Sequence, residues 1–296
     1  MTIDPTGDEF ERHRARLQAI AYRMLGSAAE AQDAVQDTFL RWRRFITTRG
    51  DADVRSTEAF LTTIVTRLCL DRLDSARARR ETYTGPWLPE PIVTDEHEVD
   101  AHSVSMAFLL LLERLSPIER ATYLLHAVFD NDHAQVAEIL GKSEAAVRQA
   151  FHRAKAHLSE GKPRFAPSKQ RHGELLLAFV SACQAFDTAG LTALLAADAQ
   201  AWSDGGGAAK AARKVVHGAD HCARLFVGLT KKGAGGPDVR PTIAELNGWP
   251  CLVLYRGDTL ASIIGIETDG VLIHAVHVVT NPNKLAAVAT ELARRN

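Results

Sequence analysis

The 296-residue sequence is poor in cysteine, and its four cysteines, Cys69, Cys183, Cys222 and Cys251, lie far apart in no paired spacing. That excludes a cysteine zinc site and a disulfide framework and fits a reducing cytoplasm. No apolar run approaches bilayer-spanning length, and the start, MTIDPTGDEF, lacks the basic and apolar pattern of an export signal. A soluble, cytoplasmic protein with no membrane partner is therefore expected. Net charge is almost absent, at -1. The average hides local fields, because Arg41, Arg43 and Arg44, then Arg72, Arg77, Arg79 and Arg80, then the stretch from Arg148 to Arg171 are basic and are offset by acidic stretches elsewhere. Internal repeats and low-complexity tracts are missing too. The glycine run Gly205 to Gly207 lacks the strand, GK[ST] and helix context of a phosphate cradle.

What the chain does have is a stretch, Ser116 to Leu158, with the sequence form of a helix-turn-helix. Ser116 caps its first helix, with Pro117 at the first helical position and Glu119 completing a capping box. Asp132 caps a short helix carrying Val136, Ile139 and Leu140. Gly141 supplies a left-handed turn residue, and Ser143 caps the last helix. In that helix Val147, Ala150, Phe151, Ala154 and Leu158 recur at helical spacing, so Arg148, Gln149, His152 and Arg153 point outward. Arg and Gln suit bidentate contacts to guanine and adenine edges, and the small Ala145 keeps the leading end slim enough for a major groove.

Before this stretch the periodicity predicts a helix from Glu9 to Leu25, with Phe10, Leu17, Ile20, Ala21 and Met24 buried. A second follows, AAEAQDAVQDTFLRWRRF, with Ala31, Ala34, Val35, Thr38, Phe39 and Trp42 on one side. A loop from Phe45 to Ser56 leads to a third helix from about Thr57 to Arg80, with Phe60, Ile64, Leu68 and Leu73 inward. AEAQDAVQDTFLRWRRF, then TEAFLTTIVTRLCLDRLDSARARR, then the helix-turn-helix resemble the region-2 and region-4 modules of bacterial extracytoplasmic-function sigma factors of the sigma-70 family. The resemblance covers Phe10 to about Leu158.

The resemblance implies that the chain binds core RNA polymerase and promoter DNA. It assigns Asp33, Gln36, Asp37, Phe39 and Leu40 to the clamp helices of the polymerase largest subunit. Arg67, Asp71 and Arg72 would serve the -10 element as single-stranded DNA, where a basic groove follows the backbone. Arg148, Gln149, His152, Arg153 and Ser143 would serve the -35 duplex, with the polymerase flap on the outer apolar surface of region 4. Primary sigma factors carry an aromatic cluster for melted DNA, whereas the third helix here offers only Phe60, which implies weaker melting and stricter promoter choice.

The expected order is region 2 over 9–84, an acidic, proline-containing linker over 85–104, region 4 over 105–160, a second linker over 161–173 and a C-terminal domain over 174–296. WLPEP, residues 87 to 91, resembles a motif of the sigma subgroup that carries a fused SnoaL-like domain. SDGGGAAK, residues 203 to 210, and NPNKL, residues 281 to 285, resemble its other two signatures, with Asn283 where an acidic residue is usual. The interdomain regulatory residues so implied are Trp87, Leu88, Pro89, Glu90, Pro91, Asp204, Gly205, Gly206, Gly207, Lys210, Asn281, Pro282 and Lys284. Trp87 and Leu88 would anchor the linker, since a linker aromatic is costly to leave in water.

In the C-terminal domain GELLLAFVSACQAFDTAGLTALLAADAQ reads as a helix, a break at Gly190 and a shorter helix, and residues 215 to 232 as another. Strand-like runs in PTIAELNG, WPCLVLYRG, TLASIIGIETDG and VLIHAVHVVT follow. The fold class expected is multidomain: all-α modules, then an α+β SnoaL-like cone with a curved antiparallel sheet. No catalytic residue, metal or cofactor is expected. Asp204, Asp258 and Asp269 sit in turn-like sequence, His274 and His277 fall on opposite faces of one strand, and His217 and His221 lack a third ligand. The function implied is promoter-specific initiation regulated in cis by the C-terminal domain. That domain acts through protein contacts or through a small-molecule ligand in its pocket. The alternative is a stand-alone DNA-binding regulator sensing such a molecule, and a third reading is an isomerase or hydratase with a passenger DNA-binding segment.

Overall fold

Helix α1 (Pro5–Leu25) buries the expected stripe, Phe10, Leu17, Ile20, Ala21 and Met24, and stops at Gly26. The Ser27 hydroxyl then accepts from the Glu30 N–H at 3.2 Å and caps α2 (Ala28–Arg49). The computed structural model describes residues 5–49, 54, 56–81, 83–94, 104–159, 167–234, 236 and 238–295. It divides into two units, one of Met1–Glu81 with Leu109–Gly161, the other of Thr82–Phe108 with Lys162–Asn296.

In the first unit α2 runs four residues past Phe45, where a loop was expected, and Phe45 packs on Phe60 with ring centroids 4.7 Å apart. Helix α3 (Thr57–Glu81) buries Leu61, Val65, Leu68, Cys69 and Leu73 together with Thr62 and Thr66. Phe60 and Ile64, expected inward, are only half-buried. Helix α3 packs on α1, α2, α5 (Pro117–Tyr123) and α6 (His133–Leu140), and its buried arc centres on Leu61, Val65 and Leu68, so Phe60 and Ile64, one residue round the helix, fall at its edge. Helix α4 (Met106–Leu112) buries Leu109 and Leu112 and leads into α5, which carries the Ser116–Glu119 capping box and continues as one wider turn, Leu124–Val128.

Asp132 caps α6 through the Gln135 N–H, Gly141 closes it at φ 62°, and the Ser143 hydroxyl accepts from the Ala146 N–H ahead of α7 (Glu144–Ser159). These local signals fix both ends of the helix-turn-helix. Contacts within the unit join α5 to α1 as well. Arg120, 3% exposed, donates to the Met24 carbonyl at 2.6 Å and pairs with Glu113 at 2.8 Å.

The second unit is built on a six-stranded sheet in the order β2-β1-β6-β5-β4-β3. The strands are β1 (Leu195–Asp204), β2 (Val216–His217), β3 (Val239–Leu246), β4 (Trp249–Arg256), β5 (Thr259–Thr268) and β6 (Ile273–Val279). The four C-terminal strands lie where expected and pair antiparallel, but β1 and β6 pair parallel, so the sheet is mixed. It is open, with the short β2 at one edge and β3, which contains Pro241, at the other, both poor templates for further pairing.

Helices α8 (Lys169–Gln184), α9 (Thr188–Leu194) and α10 (Ala219–Leu229) cover one face around Leu176, Phe179, Leu191, Cys222, Val276 and Val278. Helix α11 (Pro282–Arg295) packs on β5. Leu195 to Gln200, read as helical, is strand. Its alanines favour helix, but pairing with β6 and β2 prevails, and Ala199 and Ala201 are small enough to lie fully buried beneath the covering helices. The helix break comes at Phe186 and Asp187 rather than Gly190, whose N–H donates to the Asp187 carboxylate at 2.8 Å. Val216 and His217 are strand, not the start of α10, which follows Gly218.

Candidate nucleic-acid interface and linker anchor

Helix α7 turns Val147, Ala150, Ala154 and Leu158 inward, which leaves Arg148, Gln149, His152 and Arg153 exposed, with Ser143 exposed at the cap. Two of these cations already have carboxylate partners. Arg148 pairs with Glu144 one turn earlier, an exposed helical pair worth little and easily exchanged. Arg153 donates to Glu119 at 2.8 Å. Burial tends to raise the Glu119 pKa, but that bond and the Ser116 bonds outweigh it and hold the carboxyl below its ordinary value. Arg153 thus ties α7 to the cap of α5, whereas Gln149 and His152 carry no such tie among the described residues.

On α2, Asp33, Gln36 and Leu40 are exposed, and 54% of the large apolar Leu40 surface faces solvent. Phe39 is half-buried edge-on to Phe10, at 5.0 Å. Arg72 bridges two groups of α2, donating to the Glu30 carbonyl and to the Asp37 carboxylate, each at 2.7 Å. A residue expected at the -10 element and one expected on polymerase are therefore paired with each other. Arg67 is exposed, yet its Nε reaches the Ile139 carbonyl at the end of α6 at 3.4 Å. Asp71 is exposed. The side chains of Arg77, Arg79 and Arg80 lie outside the described residues.

The second unit holds a polar anchor around Asp204, which is fully buried at the end of β1. Its carboxylate accepts from the Tyr83 hydroxyl at 2.6 Å, the Leu88 N–H at 2.8 Å, the Gly206 N–H at 3.1 Å and the Lys284 ammonium at 2.7 Å. Lys284 also donates to the Leu88 carbonyl and lies over the Trp87 ring, 4.4 Å from its centroid. Asn281, 5% exposed, donates to Tyr83 at 2.7 Å. Burial, and then the bond to Asp204, push the Tyr83 hydroxyl pKa up and keep it protonated.

Gly206 is required here, because it has φ 59° and a β-carbon would sit 2.2 Å from the Asn281 amide. Gly205 is buried beside it, while Gly207, Lys210 and Pro282 are exposed. The Asn283 N–H donates to the Asn281 side chain and its own side chain is exposed, so its position in the anchor uses no carboxylate.

Leu88, Pro89, Glu90 and Pro91 are buried. Farther along, Ile92 and Asn247 exchange hydrogen bonds at 2.9 and 3.2 Å, the Thr94 hydroxyl accepts from Gly248, and the Asn247 amide donates to the Val104 carbonyl at 2.9 Å. Residues 83–94 are thus bonded to the sheet domain at both ends. Tyr83 and Asn247 were not singled out from sequence: an isolated Tyr and a turn Asn carry no local signal of partners more than a hundred residues away.

His217 ends β2 while His221 lies on α10, and among the described residues there is no cluster of three metal-ligating side chains. His274 pairs with Asp269 at 3.0 Å, whereas His277 faces the other way and is buried. No helix among the described residues is long and apolar enough to cross a membrane.

Residues 10–79 match the Sigma-70 region 2 family and residues 105–158 the Sigma-70, region 4 family. The chain is 38% identical over 248 residues to ECF RNA polymerase sigma factor SigJ of Mycobacterium tuberculosis (strain ATCC 25618 / H37Rv), covering 81% of this chain and 78% of that protein. It is 30% identical over 306 residues to Probable ECF RNA polymerase sigma factor SigI of Mycobacterium tuberculosis (strain CDC 1551 / Oshkosh), covering 98% of each. The crystal structure of SigJ matches at a TM-score of 0.74 and 34% identity, over 94% of this chain and 98% of that one.

Proposed function

Because this chain belongs to the extracytoplasmic-function sigma factors of the sigma-70 family, we propose that it binds core RNA polymerase, directs it to particular promoters and is held in check or released by its own C-terminal domain. Sigma factors are not enzymes; the chemistry belongs to the polymerase. The proposed roles follow the helices: Asp33, Gln36, Asp37, Phe39 and Leu40 on the largest-subunit clamp, Arg67, Asp71 and Arg72 at the -10 element, and Arg148, Gln149 and His152 at the -35 element. The exposure of Leu40 and of the Gln149 and His152 side chains supports this assignment.

The observation that carries the regulatory part is the anchor at Asp204. Region 2 and region 4 must bind two promoter elements at once, and the chain joining them supplies the reach. Residues 83–94 of that chain are instead bonded to the sheet domain through Asp204, Lys284 and Asn247. Within the first unit Arg67 is held by the end of α6. Regulation is then a population shift between a state with the joining chain anchored and one with it released. A change of about 3 kcal/mol in the anchor moves that ratio by more than a hundredfold.

The test is in vitro transcription with purified core polymerase, comparing the full chain, its Lys284→Ala variant and residues 1–172 on templates chosen by sequencing the RNA starts. Specific starts from the full chain support the sigma function, and a change of output in either altered form supports regulation in cis. Equal output from all three removes the regulatory role. Absence of starts together with absence of core binding removes the sigma role.

A further inference from the structure

Alternation along the strands gives the sheet two different faces. Leu252, Ile266, Val276 and Val278 enter the helix-covered core, while Ile263, Glu267 and His277 line a cavity of about 100 Å³ whose remaining walls include Trp249, Pro91 and Met106. Glu267 is half-buried and lines this space. Among the described residues no hydrogen bond reaches its carboxyl and no Lys or Arg lines the cavity. Burial pushes its pKa up to about 7, opposed by His274. His277, 4% exposed and with a ring that makes no hydrogen bond among the described residues, is kept neutral by burial, which brings its pKa down to about 4. A carboxyl drawn out of water with no cation beside it among the described residues costs the fold stability and supports nothing around it.

We propose that this cavity is a binding site for a small organic cation, an amine with a short alkyl body, whose ammonium pairs with Glu267 while its apolar part lies among Ile263, Met106 and Trp249. The size follows from the volume, since a cavity of about 150 Å³ accepts a benzene ring and one of about 100 Å³ accepts a body of only a few carbons. The charge follows from the lining. An anion meets a carboxyl and, among the described residues, no cation. A neutral alcohol or ketone accepts or donates one hydrogen bond but gains no ion pair. An ammonium gains a charge-assisted bond in a site of low dielectric. The proposal rests on the cavity alone and does not require regulation in cis. If that regulation holds, an occupant also touches the chain joining the two helical modules, through Pro91.

The experiment uses the full chain with ¹³C-labelled methionine methyl groups, because Met106 lines the cavity while Met24 is buried in α1 and serves as a control. Propylamine, 1-propanol and propionate are titrated at pH 7. The Met106 methyl is expected to move with propylamine at a tenfold or greater lower concentration than with 1-propanol and to ignore propionate, with Met24 still. Calorimetry in two buffers of different ionisation enthalpy should show proton release on amine binding, because the pair favours ionised Glu267. The other titratable side chains on or beside this face are His172 of α8, Cys251 of β4, His277 and the Asp269-paired His274. Release that vanishes in Glu267→Gln assigns it to Glu267. That variant keeps the shape of the neutral acid and should lose the preference for amine over alcohol. No Met106 response to any of the three, equal responses to amine and alcohol, or an amine preference that survives Glu267→Gln overturns the proposal.

Discussion

The polar face of α7 and the polar anchor at Asp204 use similar residue types under opposite conditions. Arg148, Gln149 and His152 stand in water, where a hydrogen-bonding side chain can be removed at little cost to the fold. Asp204, Asn281 and the Leu88 backbone are out of water, where each group is tied to the next and removing one strands the others. Outward polar groups should therefore report on partners, and inward ones on the fold and on the fixed position of the joining chain.

The largest effect that would sharpen this contrast is expected from Asp204→Ala. It leaves the Lys284 ammonium, the Tyr83 hydroxyl and the Leu88 N–H without their acceptor, and breaking one side of a buried pair costs about 3–5 kcal/mol. Urea unfolding measures the loss, and hydrogen exchange at residues 83–94 should rise in the same variant. An unfolding midpoint equal to that of the wild type would erase the distinction between the two regions. Lys284→Met should cost less, about 1–3 kcal/mol, because Asp204 keeps three other donors.

Next come Arg148→Ala and Gln149→Ala, each expected to weaken binding to a -35 duplex by about 1–3 kcal/mol if the side chain meets a base edge. Unfolding stability should stay within about 0.5 kcal/mol of the wild type. Fluorescence anisotropy on matched and scrambled duplexes separates base contact from phosphate contact, since the latter weakens all sequences alike. A stability loss as large as that at Asp204 would break the comparison. Gly141→Ala should cost about 1 kcal/mol of stability through its left-handed φ of 62°.

The same contrast between water and interior explains what was legible in the chain. The helix-turn-helix could be read closely because Ser116 with Glu119, Asp132 with Gln135, Gly141 and Ser143 act on backbone groups a few residues away. The four C-terminal strands were legible through alternation and turns. Strand β1 was not, because Leu195 to Gln200 is alanine-rich and becomes a strand only by pairing with β6, far along the sequence. The inner face of α3 was misjudged at Phe60 and Ile64 because its buried arc centres on Leu61, Val65 and Leu68, one residue round from the stripe those two suggest. The motifs around residues 87, 204 and 281, Asp204 among them, were found by resemblance, but the turn-like sequence at Asp204 carried no sign that it is the buried meeting point. Glu267 escaped altogether: close to the turn at Asp269 and Gly270, a charge in the sequence suggests solvent, and only the sheet reveals that it faces a cavity.

The smallest expected signal is the pH dependence of the interior itself, and its smallness is informative. Glu267 has its pKa raised from 4.5 to about 7, so the folded state holds its proton more firmly and stability falls as pH rises through that range. His277 has its pKa lowered from 6.5 to about 4, so the unfolded state binds the proton more firmly and stability rises with pH over that range. The two slopes oppose each other between about pH 5 and 6.5, with His172 adding to the His277 side because burial lowers its pKa as well. The wild type should thus show a shallow profile there. Glu267→Gln removes one slope and leaves the other, so its stability should climb with pH up to about 6.5 while the gain over the wild type grows until about pH 7 and then levels. Unfolding curves for both proteins at half-unit steps measure it. Parallel profiles would mean that Glu267 exchanges its proton as freely as a carboxyl in water, and the inward side of the comparison would then lose its most strongly perturbed carboxyl.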